Sequence, residues 1–358
     1  KQYTKKQLEK EIQRQQTLFE DSVKSNQVST DKSTFKEFAE KWIEEYSKPN
    51  HKKKTTDSYE SMLRRIYPAM GHIQIGKLNP MQINSFLLNL KEEGVKLTDK
   101  TNETGLSDKS VKNYYTLISS ILSTAEKWRV ITENPAKSVE PPRVVKKQIK
   151  ALEKDDVVRL FNLLENEPLQ YHIFIKLAIL SGMRRGELIG LKWRNIDFDN
   201  QLIHIISTVL YTPKEGIFED TTKTQDSVRT IKLSAHIFHL LMEHKQQQED
   251  IKEKLRNQWK DKDFVFTQWN GEAMHPNTPY TWFTRFQKRN GLEHCSIHML
   301  RHTTATLLIM DGANVKLVSG RLGHSNTSTT TNIYTSYLKS ADEMVVDALD
   351  DMLGLTNK

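Results

Sequence analysis

Between residues 33 and 132, apolar side chains recur at three- and four-residue steps in four separate stretches. Phe35, Phe38, Ala39, Trp42 and Ile43 make the first stripe, behind a Ser33-Thr34 start signal with Glu37 placed for a capping box. Tyr59, Met62, Leu63 and Ile66 repeat the pattern, and Gly71 follows as a stop. Ile83, Phe86, Leu87 and Leu90 form a third helix, entered through Asn79-Pro80 and ended at Gly94. The fourth and longest carries Val111, Tyr114, Tyr115, Ile118, Ile121, Leu122 and Ala125, with Ser107 as its cap. No strand-like alternation interrupts them, so residues 31–140 are expected to form a small helical bundle. Residues 1–30 are polar with sparse apolar positions (Leu8, Ile12, Leu18, Phe19), the pattern of an exposed helix leading into a linker.

The pattern changes after Asn134-Pro135-Ala136. Two adjacent prolines, Pro141 and Pro142, then Arg143, Lys146, Lys147 and Lys150 describe an extended, basic linker over 141–151. Beyond Leu152, helical spacing returns over 154–165, 168–182, 186–192, 235–255, 277–289, 298–310 and 314–322. Between the third and fourth of these, Ile203–Val209, Ile217–Thr222 and Val228–Leu233 read as three strands of a small antiparallel sheet. The predicted fold is mainly α with a small antiparallel β-sheet: a helical domain, then a mixed α+β domain over 152–339. A last amphipathic helix at 340–353 carries Met344, Val345, Ala348, Leu349, Met352 and Leu353 on one stripe.

Charge sharpens this division. The chain of 358 residues carries a net +8, distributed as +9 over residues 1–150 and −1 over the remainder. A basic helical half suits a polyanion, and Lys52, Lys53, Lys54, Lys109, Lys112 and Arg143 are its candidate DNA contacts. Cys295 is the single cysteine, which excludes an internal disulfide and a cysteine-based zinc site. With no run of 18 apolar residues and no signal-peptide pattern, a cytoplasmic protein without membrane partners is expected.

Four motifs in the second half carry candidate chemistry. Ser181-Gly182-Met183-Arg184-Arg185-Gly186-Glu187 places Arg184 at a helix start beside Glu187, where a carboxylate could hold a phosphate-binding fork. Alone it reads more readily as a surface ion pair. Thr221-Thr222-Lys223-Thr224 through Ser227-Val228-Arg229 sets Lys223 at a turn between strands, with Lys214 and Lys232 near the same hairpin; an edge lysine is the plainer reading. His298-Met299-Leu300-Arg301-His302 puts His298 and Arg301 on one helix face. His294, His298 and His302 would align if one helix ran through all three, but no acidic ligand and no His-Glu-x-x-His pattern supports a metal. Leu322-Gly323-His324 precedes Tyr334 by ten residues, and the stretch from Val315 could also be half of a helix-turn-helix.

Taken in order, Arg184, Lys223, His298-x-x-Arg301, His324 and Tyr334 resemble the tyrosine recombinase (phage integrase) family across nearly the whole second domain. The helical half resembles that family's core-binding domain, and the chain looks most like integrases of Gram-positive temperate phages and conjugative transposons. The resemblance implies that Tyr334 is the nucleophile, forming a 3′-phosphotyrosine, with His298 accepting its proton. It implies Arg184 and Arg301 on the non-bridging oxygens, Lys223 protonating the departing oxygen, His324 donating to the phosphate and Glu187 bracing the pocket. Two guanidiniums can replace a metal and the phosphotyrosine stores the bond energy, so neither metal nor cofactor is expected. Implied partners are double-stranded attachment sites, a homo-tetramer built by C-terminal helix exchange, an excisionase and a host DNA-bending protein. An arm-binding domain is expected upstream of Lys1. A chromosome-dimer resolvase or a type IB topoisomerase shares the chemistry; a non-cutting DNA-binding regulator leaves the joint placement of six residues unexplained.

Overall fold

A computed structural model describes residues 11–17, 32–92, 105–145, 151–221, 228–323 and 331. The chain divides into two compact units, residues 1–146 and 147–358. Residues 11–17 are helical and exposed, and the rest of the predicted leader lies outside the described residues.

The first unit contains the four expected helices: α1 (Phe35–Trp42), α2 (Lys53–Ile66), α3 (Pro80–Asn89) and α4 (Asp108–Lys127). Their starts are where the capping signals put them. Thr34 and Glu37 exchange side-chain and backbone hydrogen bonds, as do Asn79 and Gln82, and the Ser107 hydroxyl accepts from the Ser110 N–H. Gly94, the expected end of α3, lies outside the described residues. Wider π-helical turns extend α1 (Ile43–Ser47) and α2 (Tyr67–Gly71), which the apolar spacing did not reveal. Phe35, Trp42, Ile66, Ile83, Ile118 and Ile121 are fully buried at the centre. Trp42 also donates its indole N–H to the Thr124 hydroxyl at 2.9 Å, satisfying the one polar atom that its burial would orphan.

In the second unit the hub is α6 (Leu169–Ser181), largely apolar apart from Gln170, His172 and Lys176, and buried from Ile173 to Ile179. Around it pack α5 (Lys154–Leu164), α8 (Ala235–Leu255) and α10 (Ile297–Met310). Helices α7 (Arg185–Ile189), α9 (Thr278–Arg289) and α11 (Val315–Leu322) complete the set among the described residues. The strands differ from expectation. Instead of one sheet there are two: β1 (Ile196–Asp197), β2 (Leu202–Ile205) and β5 (Arg229–Lys232) in one, and the hairpin β3 (Ser207–Thr212) with β4 (Gly216–Thr221) in the other, all antiparallel. The predicted strand over 203–209 breaks at Ile206, which is exposed. Ser207 turns its hydroxyl to the Gly190 carbonyl at 3.1 Å, and from there the chain pairs with β4 rather than β5. Gly186 permits this, because a Cβ there would lie 2.3 Å from the Thr208 hydroxyl on β3. No helix among the described residues is long and apolar enough to cross a membrane.

Candidate active site

Arg184, Glu187, His298 and Arg301 arrive from two loop-to-helix junctions. Helix α6 ends at Gly182, which adopts a left-handed conformation (φ 65°), and α7 begins three residues later with Arg184 at its N-cap. The Arg184 N–H and guanidinium both reach Glu187, at 2.9 Å and 2.7 Å. The other arm of the Arg184 fork donates to the Gly323 carbonyl at 2.7 Å, at the end of α11. The Arg184 side chain stays 38% exposed while Glu187 is 4% exposed, so the carboxylate is the buried anchor and the guanidinium is the accessible end.

Glu187 contacts a second guanidinium, that of Arg229, at 2.8 Å. Desolvation by itself raises the Glu187 pKa. The hydrogen bond and charge of Arg229, then the two Arg184 bonds, overcome this and bring the net shift below the usual carboxylate range. Glu187 is therefore ionised at neutral pH.

Arg301, on α10, is only 2% exposed. One terminal nitrogen, Nη1, donates to the Gly182 carbonyl at 2.6 Å, and the other, Nη2, is buried with no hydrogen-bond partner among the described residues. Burial first, then the like charge of Arg184, pull its pKa down to about 9, which leaves it charged at neutral pH. A buried, charged donor without an acceptor costs roughly 1–3 kcal/mol or more, so this nitrogen is poised for an acceptor supplied from outside.

His298 lies one turn ahead of Arg301, exposed, with its ring edge-on to that of His302 at 4.8 Å. Desolvation, Arg301 and then Arg184 all lower its pKa, so its imidazole is neutral at pH 7 and able to accept a proton. Burial, with His298 and Arg301, pushes His302 down to about 4. Ser296 caps α10, its hydroxyl accepting from the Met299 N–H at 3.2 Å. His294 thus lies outside the helix, and the three-histidine alignment considered from spacing does not form.

Neutral histidines give a stability prediction. His302 and His298, with buried His172 and His244 whose pKa values are also lowered chiefly by desolvation, bind fewer protons folded than unfolded. Stability is therefore full above the ordinary histidine pKa near 6.5 and falls as the pH drops toward about 4. Melting temperatures from pH 7.5 to 4.5 should decline across that window, and more shallowly in His302→Gln. An unchanged slope in that variant would count against the assignment.

Lys223, His324 and Tyr334 lie outside the described residues, as does the helix expected at 340–353. Lys214 and Lys232, the neighbouring lysines, are exposed. Lys52, Lys53, Lys54, Lys109, Lys112 and Arg143 are likewise exposed, the first three around the start of α2 and the next two on the first two turns of α4. The residue that sequence reasoning passed over is Arg229, quoted in a motif but given no role. Its signal was available: Arg229 shares the inward phase of β5 with buried Ile231 and Leu233, and an arginine on a buried phase requires an acid.

Residues 150–340 match the model of the phage integrase family, and residues 34–90 match that of the phage integrase N-terminal SAM-like domain. The chain belongs to the phage integrase family. It is similar to the ICEBs1 integrase of Bacillus subtilis (strain 168), 26% identical over 92% of this chain and 93% of the relative. Among solved structures it resembles the Tn1549 transposon integrase in complex with a circular intermediate DNA, with a TM-score of 0.69 and 21% identity over 87% of this chain and 99% of that one. A lambda integrase tetramer bound to a Holliday junction aligns with a TM-score of 0.59 and 18% identity, over 87% of this chain and 80% of that one. These structural likenesses establish the fold. Family membership makes the chain a tyrosine recombinase of the mobile-element integrase type, a DNA strand-exchange enzyme, and removes the reading as a non-cutting regulator.

Proposed function

We propose that this tyrosine recombinase integrates and excises a mobile element by cutting each strand through a 3′-phosphotyrosine on Tyr334. The observation that carries the proposal is the surplus of positive charge in a buried pocket. Arg184 and Arg229 share the Glu187 carboxylate, and Arg301 keeps a buried nitrogen without an acceptor among the described residues. A phosphodiester passing to a phosphorane gains negative charge on its non-bridging oxygens, and fixed guanidinium donors stabilise that gain without reorganising.

In this scheme His298 takes the phenolic proton as the Tyr334 oxygen attacks phosphorus. Its lowered pKa keeps it in the accepting form. Arg184 and Arg301 hold the non-bridging oxygens, and His324 donates a further hydrogen bond. The bond from phosphorus to the 5′-oxygen breaks, and Lys223 supplies the proton that makes it a free hydroxyl. Ligation runs the same steps backward with the 5′-hydroxyl of the partner strand. The helical unit, through Lys52–Lys54, Lys109 and Lys112, and the linker at Arg143 grip the duplex by phosphate neutralisation. Four copies exchange strands at a four-way junction, joined by the helix at 340–353, with an excisionase and a host bending protein setting direction on nucleoid DNA.

A duplex spanning the junction between the element and its host sequence, nicked beside the cleavage point, tests this. The wild-type protein should form an adduct that survives denaturing electrophoresis, and Tyr334→Phe should abolish it. An adduct that persists in that variant would overturn the assignment.

A further inference from the structure

Arg229 opens β5, and its side chain is 7% exposed. Its Nη2 donates to Glu187 at 2.8 Å, and its Nε donates to the Arg321 carbonyl at 2.7 Å. Arg184 makes a matching pair of contacts, to the other oxygen of Glu187 and to the Gly323 carbonyl, each at 2.7 Å. Two guanidiniums thus clasp one buried carboxylate, and each also takes a carbonyl from the last turn of α11, where helical partners run out. Gly323 is left-handed there (φ 64°), and a Cβ on it would lie 2.9 Å from Arg229 Nη1, so the close approach needs glycine. Segments 42 and 92 residues away from Arg229 meet on its single side chain.

We propose that Arg229 is a positioning residue for strand cleavage, acting through Glu187 on the Arg184 guanidinium and through the Arg321 carbonyl on the end of α11. The inference rests on the assignment of Arg184 to the phosphate. Its physical basis is charge sharing. With Arg229 present, Glu187 divides its two oxygens between two guanidiniums, and Arg184 keeps charge to offer a ligand. Without Arg229, Glu187 and Arg184 become a neutral, closed pair, and the carboxylate draws the fork away from the phosphate. The backbone bond does a second task, because it pins the carbonyl two residues before Gly323 while Arg184 pins that of Gly323 itself.

The test is a cycle of Arg229→Gln, Glu187→Gln and the double variant, read as the rate of covalent adduct formation on the nicked attachment-site duplex, with DNA affinity and melting temperature measured alongside. Arg229→Gln should slow adduct formation about 10–100-fold, by analogy with the loss of residues that orient metal ligands from behind. DNA affinity should hold within about threefold, since the loss falls on the cleavage step rather than on uniform binding. The double variant should be no slower than Arg229→Gln alone, because the two side chains act as one unit. Arg229→Lys, which keeps the charge but not the fork, should fall between; if the glutamine variant melts below the assay temperature, the lysine variant carries the cycle. An Arg229→Gln enzyme within twofold of wild type, or losses that multiply in the double variant, would overturn the inference. A missing wild-type adduct, or one that survives Tyr334→Phe, would remove the underlying assignment as well; a normal wild-type adduct with unimpaired Arg229→Gln removes this one alone.

Discussion

Arg301→Lys is expected to slow covalent adduct formation by roughly 10²–10³-fold while leaving DNA affinity within a few-fold of wild type, a loss typical of removing one preorganised oxyanion donor. The lysine keeps the positive charge and the apolar stem, so the pocket remains filled. What disappears is the planar fork that reaches the Gly182 carbonyl with one nitrogen and holds the second buried, without an acceptor among the described residues. A point charge cannot hold both positions at once. The wild-type protein spends roughly 1–3 kcal/mol of stability on that unpartnered nitrogen, so the lysine variant should melt no lower by more than a few degrees. Single-turnover cleavage and a filter-binding titration on the same duplex separate the two effects. A rate within tenfold of wild type would show that the buried nitrogen does not meet the reacting phosphate.

Gly182→Ala should cost about 2–5 kcal/mol of stability and also reduce cleavage. Two independent penalties add. At φ 65° an L side chain is strained by about 1–2 kcal/mol, and the new methyl would lie 2.3 Å from Leu322 Cδ2, an overpacking worth about 1–3 kcal/mol. Leu322 is fully buried beside Ala305, Ile309 and Val318, so it has no free direction in which to yield. The displaced loop carries the carbonyl that orients Arg301, which links the stability loss to the rate. Gly291→Ala is the control. Its φ of 61° imposes the same backbone strain, but open space surrounds its Cβ, so it should lose only the first portion. Urea denaturation midpoints for the two variants give the comparison, and equal losses would contradict the packing argument.

Much of the architecture was legible from spacing and capping. Thr34 with Glu37, Asn79 with Gln82, and Ser107 mark helix starts because a cap is satisfied within four residues of itself. The bounds of α8, Ala235 and Leu255, also coincide with the predicted stretch, here from apolar spacing without a capping hydrogen bond. The strands were harder. Ile203 to Val209 reads as one apolar-rich run, yet it serves two sheets, since the break at Ile206 depends on a hydrogen bond to Gly190 on another segment. The candidate site followed the same division. Arg184 beside Glu187 and His298 beside Arg301 are local pairs that helical spacing predicts. Arg229 between Glu187 and the Arg321 carbonyl is a distant association, and only its phase along β5 hinted at it.

By itself, then, the order of residues determined most element types and the basic first half, and it proposed the candidate site's local pairs, because each of these depends on neighbours in the chain. Tertiary structure alone decided which of those groups share a partner: that one carboxylate serves two guanidiniums, that Arg184 reaches a carbonyl 139 residues away, and that one nitrogen of Arg301 is left without an acceptor. The physical reason is that a hydrogen bond is short and directional, while contacts across such separations leave no period in the sequence from which to read them.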